Sequence, residues 1–254
     1  AILLRRELFE QLGGFDQRYA PAYYEDTDLA FAVRKAGLKV FVEPRATVIH
    51  FEGITAGTDT GGSGMKRFQT INHAKFLEKW KDELARQPAP IDDAAKAPRA
   101  ATFRAGKRIL IVDACTPTPD QDSGSLRMVN LMRLMRALGW QVTFFAENRL
   151  YLDGYTPALQ ALGVEVQYAP YLQDAVRLFR QRGEEFDAIL LSRHYIAINY
   201  LGLARLYAPR ATLIFDTVDL HYLREQRAAK LENSADLLRQ AETTRAQELK
   251  LIRE

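Results

Sequence analysis

The chain has 254 residues, 47% of them hydrophobic and 26% charged, with a formal net charge of +3. That is length enough for two modest cores and too little positive charge to argue for nucleic acid, although a mildly basic face suits peripheral association with anionic lipid. The single cysteine, Cys115, lies inside an apolar strand by its pattern, excludes a disulfide framework and points to a reducing compartment; the expected location is cytoplasmic, at or near the inner face of a membrane.

No stretch reaches the ~20 apolar residues of a membrane span. The opening AILLRREL lacks the ordered parts of a signal peptide. It also lacks a methionine, so the chain is expected either to have lost its first residue or to be part of something larger. After the short apolar run Ile2-Leu3-Leu4, residues 5–12 read as a helical turn that Gly13-Gly14 ends.

Residues 13–37, GGFDQRYAPAYYEDTDLAFAVRKAG, hold an aromatic-rich loop and a dense acidic cluster, Glu25-Asp26-Thr27-Asp28. The apolar residues Leu29, Phe31, Ala32 and Val33 follow at once, so Asp26 or Thr27 is placed to cap a helix. The acids either complement that helix's dipole and nothing more, or aim one carboxylate into a cleft as a base. Residues 39–50, KVFVEPRATVIH, alternate apolar and polar and predict two short strands bent at Pro44, with His50 at the end. Residues 54–64, ITAGTDTGGSG, have loop composition. Phe68, Ile71, Phe76, Leu77, Trp80 and Leu84 predict one helix over 65–84, with Lys66, Arg67 and His73 solvated.

This run, GGFDxRY…YYEDTDLAFAVRKAG…KVFVEPRATVIHFEG, resembles the C-terminal part of a family 2 glycosyltransferase of the GT-A fold, over residues 1–86. The resemblance implies that Asp26 is the base that deprotonates an acceptor hydroxyl, with Glu25 beside it and Asp28 in the same cleft. It also implies a divalent cation, manganese or magnesium, which His50 would help to hold in a complete module only. The nucleotide-holding half of that fold precedes this part, so donor binding is not expected of the chain alone.

Residues 87–106 carry three prolines, many alanines and no periodicity, and read as an extended linker. From residue 107 the pattern changes. RILIVDAC is a continuous apolar run of the kind buried on both faces. The loop TPTPDQDSGSLR leads to a helix with Leu126, Val129, Met132, Met135 and Leu138 on its core face, stopped by Gly139. Strands follow at 140–146, 164–166, 186–192 and 211–217, separated by helices at 155–162, 172–182 and 196–207. This alternation predicts a doubly wound parallel sheet. Ligands sit at the carboxyl ends of such strands, which nominates Asp113, the loop 122–125, Glu147, Arg193, His194, Asp216, Asp219 and His221. The Ser-Gly-Ser segment at 123–125 is placed to offer backbone N–H groups to an anion. Residues 224–254 are highly charged and predict one or two helices with a solvated face.

Residues 107–254, through the DSGSxR loop and the stretch DTVDLHYLRE, resemble the N-terminal Rossmann-like domain of a family 4 glycosyltransferase of the GT-B fold. The resemblance places Gly124 and Ser125 in the loop near the donor phosphate and transferred sugar, and Asp219 and His221 at the cleft. The expected protein is therefore an α/β chain: a partial GT-A segment, a linker, and a GT-B N-terminal domain. Its expected role lies in a multi-domain enzyme that moves sugar from a nucleotide-sugar donor to a glycan or lipid-linked glycan acceptor. The chain alone is expected to be inactive. The competing expectations are a non-catalytic binding or scaffolding module built from degenerate halves, and a flavodoxin-like module over 107–220.

Overall fold

In a computed structural model that describes residues 2–43, 46–49, 64–93 and 96–254, the chain divides into two units, 1–89 and 90–254.

The first unit holds four helices among its described residues: α1 (Arg6–Gln11), α2 (Glu25–Lys35), α3 (Arg67–Lys79) and α4 (Lys81–Leu84), with a 3-10 turn at Gln17–Tyr19. Its core is aromatic. Tyr19, Phe76 and Trp80 are buried, with Tyr24, Phe31, Ala32 and Leu84 packed on them. Phe31 meets Phe76 edge-on at 5.1 Å and Trp80 at 5.3 Å, geometry that suits the ring quadrupoles. The single helix expected over 65–84 is two, because Trp80 leaves helical angles (φ −107, ψ 17) as its indole enters the core. The face buried is Asn72, Phe76 and Trp80, while Ile71 and Leu77 are exposed. The two strands expected over 39–50 are also absent among the described residues there, and Val40, Phe41, Val42, Val48 and Ile49 are exposed. Alternation makes a strand only where a partner supplies the other half of the ladder, and the described residues of this unit supply none.

In the second unit the alanine-rich end of the expected linker forms a short helix, α5 (Ala97–Ala101), as alanine's helix propensity favours. Then come β1 (Lys107–Asp113), α6 (Ser123–Ala137), β2 (Trp140–Ala146), α7 (Tyr155–Ala161), β3 (Glu165–Gln167), α8 (Ala175–Arg182), β4 (Ala188–Ser192), α9 (His194–Tyr207), β5 (Thr212–Asp216), α10 (His221–Glu232) and α11 (Ala235–Arg253). The five strands make one parallel sheet in the order β3-β2-β1-β4-β5. Side chains alternate across it. Ile109 and Ile111 pack with Met128 and Met132 of α6 on one face, and Leu110 and Val112 with Phe179 of α8 and Ile196 of α9 on the other. A sheet buried on both faces is what a parallel arrangement requires. Cys115 lies beyond the end of β1 and is exposed, a correction to its expected place within the strand. The charged C-terminal stretch is two helices. Asn233, left-handed at φ 50, ends α10, and Ser234 Oγ accepts from Leu237 N at 3.3 Å to cap α11.

The short edge strand β3 is fastened by charge. Arg182 of α8 donates to both oxygens of Glu165 at 2.7 and 3.0 Å, and Thr143 Oγ1 donates to the same carboxylate at 2.9 Å. Burial pushes the Glu165 carboxyl up, but the charge and hydrogen bonds of Arg182 outweigh it and hold Glu165 below the ordinary glutamate range. A depressed folded-state value gives stability that is present above the unfolded-state pKa and lost as pH falls through the folded-state one. Glu165→Gln is therefore expected to cost about 2 kcal/mol at neutral pH, with the deficit closing in acid. Urea midpoints of both proteins across that range check it, and a deficit that stays constant into acid contradicts it.

Candidate functional site

The acidic cluster of the first unit is delivered by a strained loop. Tyr23 and Tyr24 both sit in the left-handed region, at φ 73 and φ 75, a conformation worth about 1–3 kcal/mol of strain per residue for side chains other than glycine. The surroundings hold it in place. Asn72 Nδ2, fully buried in α3, donates to the carbonyls of Tyr19 (2.7 Å), Ala22 (2.8 Å) and Tyr23 (3.3 Å). The Tyr24 ring lies on Phe76 at 5.2 Å and stacks on His73 at 5.6 Å. Because the chain arrives left-handed, α2 starts at Glu25 with Tyr24 as its cap residue and no side-chain cap. The expected cap at Asp26 or Thr27 is thus corrected: both lie inside the first turn, where the acids still favour the dipole.

The three carboxylates then diverge. Asp26 is exposed, and its Oδ1 accepts from Thr27 N at 2.6 Å and Thr27 Oγ1 at 3.2 Å. Glu25 is half-buried, and its Oε2 is buried with no hydrogen-bond partner among the described residues. Asp28 is 4% exposed and faces inward. Its carboxylate accepts from Tyr19 Oη (3.0 Å), Trp80 Nε1 (2.7 Å) and Lys79 Nζ (2.8 Å). Asp28 is therefore the polar centre of this core and not an open cleft residue. Burial works against the charge on Lys79, but its hydrogen bonds to Asp16 and Asp28 prevail and raise its pKa. Burial and then the Asp28 hydrogen bond push the Tyr19 hydroxyl upward as well.

His50 and nearly all of the 54–64 loop lie outside the described residues. Asp28 is committed to three donors, and the one group of three metal-ligating side chains among the described residues is in the second unit.

In the second unit the order in which the chain adds strands reverses between β1 and β4. There Arg193, left-handed at φ 76, donates through Nε to Asp113 Oδ1 at 2.9 Å and through its backbone N–H to the Asp216 carbonyl at 2.7 Å. Burial raises the Asp113 carboxyl despite Arg193 beside it. Arg127 of α6 pairs with Asp216 at 2.7 Å. The anion seat expected at the start of α6 is already filled. Asp122 caps the helix, with Oδ1 accepting from Ser125 N at 2.8 Å and Oδ2 from Ser125 Oγ at 2.6 Å. These bonds hold Asp122 below the ordinary aspartate range, so a fixed negative charge stands where a phosphate was expected. A Cβ on Gly124 would come within 3.2 Å of that carboxylate and 3.4 Å of Val218, which explains the glycine by packing.

Asp219 is half-exposed and pairs with Arg224 at 2.9 Å. His221 turns inward instead of facing a cleft. It is 5% exposed, with Nδ1 3.2 Å from the Asp219 carbonyl and its backbone N–H on Glu248 Oε1 at 3.0 Å. Sequence patterns did not flag Asn72, Lys79 or Glu248. Glu248 had a signal: it continues the spacing of the buried Ala241 and Thr244 along one face of α11.

The parallel sheet, its strand order and the polar groups at its carboxyl edge define the second unit as a Rossmann-like α/β domain. Among curated proteins, the chain is 48% identical over 59 residues to the N-acetylglucosaminyl-diphospho-decaprenol L-rhamnosyltransferase of Mycobacterium tuberculosis, equally in strains CDC 1551 / Oshkosh and ATCC 25618 / H37Rv. That stretch is 23% of this chain and 19% of the relative, so the chain matches about a fifth of the relative's length. Over it, the chain is related to a glycosyltransferase. No family model matches the chain, and no solved structure does. Among the described residues no helix is long and apolar enough to cross a membrane.

Proposed function

We propose that the chain serves the acceptor side of a sugar transfer in surface polysaccharide synthesis, in which a nucleotide-sugar donates to a saccharide hydroxyl. The observation that carries this is the 48% identity to an enzyme that transfers rhamnose to a diphospho-lipid-linked saccharide. A lipid-linked saccharide is accordingly the acceptor class, and peripheral membrane association follows from it. The first unit acts as the acceptor-side part of a GT-A module over 1–86, and the second, over 107–254, as a GT-B N-terminal domain.

The base is Asp26. Among the three carboxylates of the cluster it is the exposed one, and its Oδ2 has no hydrogen-bond partner among the described residues. It takes the acceptor hydroxyl proton while that oxygen attacks the anomeric carbon, and the bond to the nucleoside diphosphate breaks with its electron pair leaving on the phosphate. Glu25 stands beside it, and Asp28 holds the loop that presents both. Donor binding belongs to residues other than those described, in keeping with the Asp122 carboxylate that occupies the start of α6.

The test is sugar transfer from labelled nucleotide-sugars to a lipid-linked saccharide by the complete protein and its Asp26→Asn variant. Label reaches the glycan with the first and is lost with the second. Transfer by neither would favour a non-catalytic binding module, the alternative that Asp122's occupation of the expected phosphate seat supports.

A further inference from the structure

Three helices of the second unit bring metal-ligating side chains to one buried point. His194 opens α9 just beyond β4, His221 opens α10 just beyond β5, and Glu248 comes from α11. All three are buried, at 9%, 5% and 0% exposure, and a ligand atom from each lies within 4.8 Å of the others. His194 Nδ1 is 3.6 Å and His221 Nδ1 3.4 Å from the same oxygen, Glu248 Oε1. Ligands about 2.1 Å from a tetrahedral ion stand about 3.4 Å from one another, so these separations are the edges of such a site.

Two further observations point to a cation as the partner of these groups. His194 Nδ1 is buried and has no hydrogen-bond partner among the described residues, which is costly for a polar atom. Glu248 is wholly buried, yet its hydrogen-bond donors are the backbone N–H groups of His221 (3.0 Å) and Tyr222 (3.3 Å). Among the described residues no lysine or arginine is ion-paired with it. A carboxylate taken out of water without a counter-charge costs several kcal/mol. Asp219 Oδ1 lies 3.4 Å from His221 Nδ1, but its carboxylate is paired with Arg224.

We propose that His194, His221 and Glu248 form a site for a divalent transition metal of the zinc type, which fastens α9, α10 and α11 together at the carboxyl edge of the sheet. Two imidazoles and one carboxylate suit zinc or cobalt, whereas magnesium and calcium favour sites made of oxygen alone. The site is independent of the sugar-transfer proposal, since none of its three residues takes part there.

The experiment is cobalt titration of the untagged 254-residue chain after chelator treatment, in a Cys115→Ser background. The visible bands of tetrahedral cobalt are expected at one ion per chain, and zinc is expected to displace them and raise the thermal midpoint reversibly. His194→Gln removes a ligand without removing a hydrogen bond, and Glu248→Gln keeps an acceptor for the α10 backbone. Each is expected to weaken cobalt about 100-fold or more, since even outer-shell losses cost 10–100-fold, with unchanged circular dichroism. Absence of tetrahedral bands at millimolar cobalt overturns the proposal. Bands of equal strength in both variants overturn it too, by placing the metal elsewhere. The wild-type titration decides the matter even if a variant fails to fold.

Discussion

Asp28→Ala is expected to destabilise the first unit by about 3–5 kcal/mol, the cost of breaking a buried ion pair by removing one partner. One small carboxylate joins three elements there: the turn through Tyr19, the α3–α4 junction through Trp80, and α3 through Lys79. Alanine would leave the Tyr19 hydroxyl and the Trp80 indole N–H without their acceptor inside an aromatic core, and each orphaned group costs about 1–3 kcal/mol. Lys79 keeps Asp16 at 2.8 Å, so its loss is partial. Native domains have only about 5–15 kcal/mol in total, and this unit's buried cluster is small. The measurement is guanidinium unfolding followed by Trp80 fluorescence in a Trp140→Phe background, since the chain has two tryptophans. A midpoint indistinguishable from the parent would show that Asp28 does not organise this core.

Asp26→Asn is expected to leave that midpoint within about 0.5 kcal/mol, as exposed substitutions do, while lowering sugar transfer by the complete protein about 10²–10⁴-fold, the usual range for a general base. The two aspartates are two residues apart and are set against each other by geometry. Asp28 sits one face round, turned onto Trp80, and Asp26 faces solvent. Stability and activity should therefore separate: Asp28 variants lose the fold, and Asp26 variants lose the reaction. Transfer by Asp26→Asn within a few-fold of the parent contradicts the assignment and directs attention to Glu25, whose buried Oε2 has no partner.

The parallel sheet was legible because β1 and β4 are continuous apolar runs, and such runs need both faces covered. What the one-dimensional pattern misses is where a polar group points. Asp26 and Asp28 look alike in a row of acids, and only the left-handed Tyr23-Tyr24 pair and the Trp80 break decide which is buried. The Ser-Gly-Ser segment was expected to offer backbone N–H groups to an anion, but the Asp122 carboxylate takes Ser125 N and Oγ itself, which spacing does not show. Strands at 39–50 were misread because alternation reports a surface, while pairing depends on residues distant in sequence. Glu248 meets His194 and His221 through a helix that begins well after both, a convergence that spacing does not reveal.

Calorimetric titration of the chain with UDP, GDP and dTDP in the presence of manganese tests the acceptor-side assignment most directly. The basic groups near the candidate sites are already paired, Arg193 with Asp113, Arg127 with Asp216, and Lys79 with Asp16 and Asp28, and Asp122 fills the start of α6. A nucleoside diphosphate would have to displace these carboxylates, so the account predicts no binding tighter than millimolar. Micromolar binding of any one of the three nucleotides would contradict it and place a donor site within this chain.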